Sequence, residues 1–392
     1  DTWGSLWFSV KGEAAIEAGN YPLKLNVFYS ENDLPAQKVF DLRIIDKCLP
    51  KQKLIHTEWF YTDCIAVYYN TEVFSETYWE LVESYMKTAA KYGVNMILTP
   101  VFTPPLDTPF GKERPTVQLV DVKLMQDKYI FGFEKLKRWI TLAKKCGIEY
   151  FEISHLFTQW GAKHAPKIIV ETEEGSKQHF GWHTNAVDIE YKDFVICFLK
   201  ALVAFIDREG IRDKCFFHVS DEPQIGDMDV YKSAADTMRS VLKDEFTIID
   251  ALSDYAFFSS GAVKNPIPSN DHVDIFIENN VRNLWTYYCC AQGDKVSNRF
   301  MSMPSYRNRI IGIQLYKYGF VGFLHWGFNF WFRQNALEII NPFCVTDSGK
   351  AFPSGDAFLV YPGGKEPLPS IRMLVFRSEE RRVGKECIYR WW

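Results

Sequence analysis

The chain has 392 residues, 47% of them hydrophobic and 24% charged, so there is ample apolar material for a large core. A net charge of −4 offers no electrostatic footprint for nucleic acid or an anionic membrane surface, and no apolar run reaches the roughly 18 residues of a membrane-spanning helix. Aromatics make up 16%, including 12 Trp and 20 Tyr, which adds weight to sugar stacking. The nine cysteines show no metal-type pairs and one vicinal pair, Cys289-Cys290. They read as reduced thiols, and a reducing, cytoplasmic compartment is expected. The chain opens on Asp1-Thr2-Trp3-Gly4 with neither Met nor leader, and reads as a trimmed piece of a longer protein.

Residues 1–49 predict β structure, the last strands of a β-sandwich module. Leu6–Val10 is a short strand, Gly19-Asn20 a turn, Leu23 to Tyr29 alternates, and Val39–Ile45 follows a loop at Asn32, Asp33 and Pro35. Leu49-Pro50 reads as a linker. From there strands alternate with helices. Strands are expected at Leu54–Phe60, Val94–Leu98, Ile148–Ile153, Cys215–Val219, Phe246–Ile249, Val273–Ile277, Leu284–Tyr288 and Phe320–Leu324. The stretches 103–121 and 156–185 read as long loops, and 251–272 shows no convincing helix. Eight strands with helix-sized connections predict a (β/α)8 TIM-type barrel over 50–345. An open doubly wound sheet is the competing architecture, but no glycine-rich phosphate loop follows the first strand. Beyond the barrel, 346–377 reads as the start of a small C-terminal β element, with strands at Ala357–Tyr361 and Ile371–Phe376. The charged stretch 378–392 reads as a non-native tail.

In such a barrel the chemistry comes from the C-terminal ends of the strands. The residues expected there are Glu58, Trp59, Asp63, His155, Asp221, Glu222, Asp250, Asp254, Glu278, Asn279, Tyr287, His325, Trp326 and Asn329. None is Lys, which removes a Schiff-base nucleophile and an obvious phosphate clamp. The apolar run Cys215–Val219 ends in Ser220-Asp221-Glu222-Pro223, two acids where a buried strand surfaces. Glycoside hydrolysis needs one carboxylic acid for the leaving oxygen and a second group for the cationic centre. The position after the seventh strand, where a nucleophilic Glu would complete a double displacement, reads Tyr287-Tyr288-Cys289-Cys290. The adjacent pair therefore points to substrate assistance: Glu222 as acid and then base, Asp221 orienting a 2-acetamido group whose oxygen attacks the anomeric carbon. Tyr287 is a candidate donor to that oxygen.

The segment His218-Val219-Ser220-Asp221-Glu222-Pro223 resembles the catalytic segment of glycoside hydrolase family 123 and its DUF4091-type relatives. So do Arg309–Trp331, with Gly322-Phe323-Leu324-His325-Trp326-Gly327-Phe328-Asn329-Phe330-Trp331, and Gly355–Gly363 with Ser370-Ile371-Arg372. The resemblance covers about 50–377. It implies a retaining β-N-acetylgalactosaminidase acting on glycan or glycolipid ends without metal or other cofactor. By position, Asp221 would orient the acetamido group and Glu222 would be the acid/base, with Trp285, Tyr287 and Trp326 lining the sugar site. Candidate sugar-binding residues are His155, Trp160, His218, Trp285, Tyr287, His325, Trp326 and Asn329. Two other readings stay open: an inactive barrel that binds glycans through Trp160, Trp182, Trp285 and Trp326, and a metal-assisted hydrolase in which His155, His218 and His325 converge with Asp221. For His218, inside a buried run, a hydrogen-bonded core role is the competing expectation. Nothing in the sequence sets an oligomeric state.

Overall fold

A computed structural model describes residues 8, 16–28, 34–46, 51–108, 110–333 and 338–380, and the chain divides into two units, 1–51 and 52–392. The first unit is an antiparallel ribbon of Gly19–Val27 and Ala36–Ile44, registered from Gly19 opposite Ile44 to Val27 opposite Ala36. The expected turn at Gly19-Asn20 is thus the beginning of a strand, and the chain reverses between Val27 and Ala36. The strand expected at Leu6–Val10 lies outside the described residues, apart from Phe8.

The second unit contains eight parallel strands: β1 (Ile55–Glu58), β2 (Met96–Thr99), β3 (Tyr150–Ile153), β4 (Cys215–Phe217), β5 (Thr247–Ala251), β6 (Asn265–Ile267), β7 (Trp285–Tyr287) and β8 (Gly322–His325). They run β6-β5-β4-β3-β2-β1-β8-β7, and a single parallel bridge between Ser269 and Tyr287 closes the ring. This is the expected (β/α)8 barrel. Strands covered on both faces need no alternation, and Met96-Ile97-Leu98-Thr99 is buried throughout. The covering helices are α1 (Thr62–Tyr68), α2 (Glu76–Lys91), α3 (Glu134–Cys146), α4 (Ile189–Arg208), α5 (Met228–Leu242), α6 (Ala256–Ser259), α7 (Asp274–Glu278), α8 (Ser305–Lys317) and α9 (Ile371–Glu380). In α2, Ser75 caps the N-terminus by accepting the Tyr78 N–H, and Tyr78, Leu81, Val82, Tyr85 and Ala89 form the buried stripe. In α3, Gly147 ends the helix at φ 95°, a left-handed position suited to glycine.

Four expectations need correction. The sixth strand is not Val273–Ile277, which forms α7, but Asn265–Ile267. Two prolines, Pro266 and Pro268, disqualify this stretch on sequence grounds. Their tolerance is geometric: the Ile267 carbonyl accepts Leu252 N–H on the β5 side, so both prolines face β7, where the Pro268 carbonyl accepts Tyr287 N–H and no ladder donor is required of them. Consequently Glu278 and Asn279 end a helix rather than a strand. The second of the two long loops, 156–185, is structured: Ile168–Thr172 and Gly175–Phe180 form a hairpin, which joins in one sheet another hairpin, Asp121–Met125 and Lys128–Gly132, that begins where the 103–121 loop ends. The stretch Ile371–Phe376 is helical, because the Ser370 hydroxyl caps it by accepting the Met373 N–H and Met373, Val375 and Phe376 bury one side. The strands before it shrink to the pairs Val360-Tyr361 and Leu368-Pro369.

Candidate active site

The exit of β4 is pinned on every side. Asp250, at the end of β5, accepts the backbone N–H groups of Val219 (3.0 Å) and Ser220 (3.3 Å) on one carboxylate oxygen. The Ser220 hydroxyl donates to the Thr158 carbonyl at 2.8 Å. The Asp221 carbonyl accepts Trp160 N–H at 2.7 Å, and Glu222 N–H donates to the Ala251 carbonyl at 3.0 Å. Glu222 itself has φ 43°, a left-handed backbone that residues other than glycine seldom adopt unless their surroundings impose it.

This turn sets both acids in the wall of a cleft with about 110 Å³ of free space, which Asp107, Gln159, Trp160, Tyr287 and Trp326 also line. Trp59 and Phe352 add aromatic surface, and Trp160 stands half exposed. The Tyr287 hydroxyl donates to Glu222 Oε1 at 2.6 Å. Burial, then the Glu222 charge, hold the Tyr287 phenol well above its ordinary value, so it remains a donor. Burial, followed by the charges of Glu222 and Asp107, raises the Asp221 carboxyl well above the usual range. Asp107 is pushed up to about 6: burial and Glu222 raise it, while the Arg114 charge and the Tyr61 hydrogen bond oppose them. Its N–H donates to Gln159 Oε1 at 2.9 Å and its Oδ2 accepts the Tyr61 hydroxyl at 3.2 Å. Past β7 the cleft meets Cys289 and Cys290 rather than a carboxylate. The hydrogen bond with Cys290 and burial keep the Cys289 thiol protonated, well above its ordinary value.

Of the expected sugar-binding residues, Trp160, Tyr287 and Trp326 line this cleft, and five others do not. His155 and His218 stack behind it, ring centroids 4.2 Å apart, both about 1% exposed. His218 donates to Glu152 Oε1 at 2.6 Å and approaches Asp250 at 3.4 Å; burial opposes its charge, but these two carboxylates outweigh it and raise His218 to about 9. The core role is the correct one. Burial, then the neighbouring His218 charge, hold His155 well below its ordinary value. His155, His218 and Asp250 bring ligand atoms within 4.8 Å of one another. Yet Asp250 already accepts two backbone N–H groups and the Tyr231 hydroxyl, and a protonated His218 has no lone pair to give, so the residues suit a proton-held network better than a cation. Trp285 is 3% exposed, packed over Gly322, where a Cβ would come within 2.0 Å of its ring. His325 accepts from Arg299 at 2.6 Å and contacts Asp356 at 3.3 Å. Asn329 clasps the Tyr61 backbone, accepting its N–H at 2.8 Å and donating to its carbonyl at 3.0 Å. The strand-end acids Glu58 and Asp63 are likewise spent, paired with the buried Arg299 and Arg114.

Asp107 and Gln159 escaped the sequence reading. The available signal was position: both sit in long connections that leave β2 and β3 at their C-terminal ends, where barrels keep their working loops.

A parallel barrel with carboxylates clustered in a cleft at its strand ends is the architecture of many sugar-cleaving enzymes. The chain belongs to glycoside hydrolase family 123, whose catalytic-domain profile matches residues 59–381. Among solved structures, a family 123 glycoside hydrolase from Clostridium perfringens, described for glycolipid glycan hydrolysis, superposes with a TM-score of 0.71 at 16% identity, over 94% of this chain and 66% of that one. The chain thus spans just under two thirds of that protein's length. A family 5 mannosidase from Rhizomucor miehei (10% identity, 88% of this chain, 96% of that one) aligns with a TM-score of 0.43. No curated protein matches the chain. Among the described residues, no helix is long and apolar enough to cross a membrane.

Proposed function

We propose that the protein is a retaining exo-β-N-acetylhexosaminidase, with N-acetylgalactosamine as the favoured terminal sugar, working by substrate assistance. The observation that carries this reading is the Asp221-Glu222 pair in a cleft whose β7 side offers Tyr287 and thiols but no carboxylate. Glu222 Oε1 is occupied by Tyr287, leaving the second oxygen to protonate the glycosidic oxygen as the 2-acetamido carbonyl oxygen attacks the anomeric carbon. The aglycone departs as an alcohol and an oxazolinium ion remains. Glu222, now a carboxylate, takes a proton from water as that water opens the ring from the aglycone's side, which retains configuration. Asp221 accepts the acetamido N–H. In the empty cleft its proton is held by facing carboxylates; an N–H donor and a developing positive charge favour its ionised form, leaving the proton for Glu222. The relative described for glycolipid glycan hydrolysis supports a glycan or glycolipid end as the substrate class.

A panel of aryl β-glycosides differing only in the sugar tests this. Turnover confined to 2-acetamido sugars, inhibition by a thiazoline analogue of the oxazolinium, and a loss of about 10²–10⁴ in kcat for Glu222→Gln are expected. Cleavage of plain glycosides with none of the 2-acetamido sugars would sink the reading. Asp107 motivates a second one, a double displacement with Asp107 as nucleophile, since it is the remaining carboxylate of the cleft. Trapping of a 2-fluoro sugar on Asp107, abolished in Asp107→Asn, would favour that alternative.

A further inference from the structure

A second cavity, roomier than the one that holds the carboxylates, lies apart from it. With about 410 Å³ of free space, it opens where the segment before α8 meets the start of α9. Phe352, which lines the catalytic cleft, begins a strip whose other end abuts Met301 and Arg372 in the wall of this second cavity. Ser354 accepts Met301 N–H at 2.9 Å, and a Cβ on Gly355 would lie 2.8 Å from the Arg372 guanidinium.

Three residues in the wall of this space carry unmet demands. Arg372 is a cation without a counter-charge: its guanidinium donates to the carbonyls of Gly355 and Phe358, and among the described residues no carboxylate forms an ion pair with it. Burial and the neighbouring Arg299 charge lower it to about 10, against the opposing influence of Tyr361, which hydrogen-bonds it, and of Asp356. The acid that acts on it, Asp356, is occupied by Trp326 and His325. The second demand is Arg299 Nε–H, buried and without a partner although the rest of that guanidinium is engaged by Glu58, His325 and Gly327. The third is Asn308 Oδ1, on a side chain 5% exposed. Its amide nitrogen donates to the Arg372 carbonyl at 2.8 Å, which fixes the orientation and leaves the oxygen without a donor. Buried polar groups left in this way cost stability unless something satisfies them.

We propose that this cavity binds a small free oxyanion that also carries a hydroxyl, such as a sugar acid or hydroxy acid. The anionic oxygens meet Arg372 and Arg299 Nε–H, and the hydroxyl donates to Asn308 Oδ1. The site stands independently of the hexosaminidase reading. Isothermal titration of the full chain with D-glucuronate and with inorganic phosphate tests it, with glucose as the uncharged control. Saturable binding of glucuronate is expected, at least tenfold weaker for Arg372→Met and for Asn308→Leu, and unchanged for Glu222→Gln. Arg372→Lys, which keeps the charge, should retain part of the affinity and serves if Arg372→Met fails to fold. Absence of saturable binding by either anion overturns the proposal. So does equal binding of glucose, or loss of binding in Glu222→Gln, which would place the ligand in the catalytic cleft. Phosphate that slows turnover of acid-bearing glycans while leaving neutral aryl glycosides untouched would show that the anion is the substrate's own branch, and would overturn the free-ligand assignment.

Discussion

His218 carries its charge in a place where water cannot reach it, and the two carboxylates beside it make that possible. Its value in the folded protein, about 9, lies above the ordinary 6.5, so its protonation stabilises the fold. That contribution is complete below pH 6.5 and disappears as pH rises through about 9. The wild-type protein should therefore lose roughly 1–3 kcal/mol of stability across this window, while His218→Gln, whatever its absolute stability, should be flat there. Denaturant melts at several pH values measure it, and parallel slopes in the two proteins would refute the assignment. The same residue explains why the catalytic turn holds its shape: Asp250, which His218 approaches at 3.4 Å, also receives the Val219 and Ser220 amides that aim Asp221 and Glu222.

At the scale of elements, β7 and β8 depend on one missing side chain. Gly322 leaves room for the Trp285 ring, and a methyl there would overlap it at 2.0 Å. Gly322→Ala should cost about 1–3 kcal/mol, and a second change of Trp285→Phe should recover part of it. Additive losses in thermal melts would show that the two do not share the space. This packing also shows what the sequence could and could not convey. Trp285 belongs to the right strand, but whether a strand residue faces the cleft or the layer beneath is decided by its height along a tilted barrel. The turn after β4 was legible because a buried apolar run ending in two acids and a proline admits few explanations. The strand β6 was not, since Pro266 and Pro268 argue against a strand unless one knows which side lacks a ladder, and Val273–Ile277 offered a more apolar substitute. Asp107 stayed hidden because its approach to Glu222 is a long-range contact between two loops, which local pattern does not encode.

For the molecule as a whole, the seam between β6 and β7 is closed by the single Ser269–Tyr287 bridge, as thin as the β1–β2 pairing of Thr57 with Met96, whereas β2 and β3 share a ladder from Met96 opposite Tyr150 to Thr99 opposite Ile153. Amide hydrogen exchange should reflect this: Asn270 and Tyr287 are expected to exchange at least about tenfold faster than the β2–β3 ladder, and equal protection would contradict it. The strip from Phe352 to Gly355 has a different consequence. Its Phe352 end lines the catalytic cleft and its Ser354-Gly355 end abuts Met301 and Arg372 of the second cavity's wall, so an occupant that shifts it in one place presses on the other. Thermodynamic linkage then requires reciprocity: the factor by which glucuronate changes the dissociation constant of a thiazoline inhibitor must equal the factor by which the inhibitor changes that of glucuronate. Two titrations, each in the presence of the other ligand, would reveal whether this barrel senses one small molecule while it cleaves another.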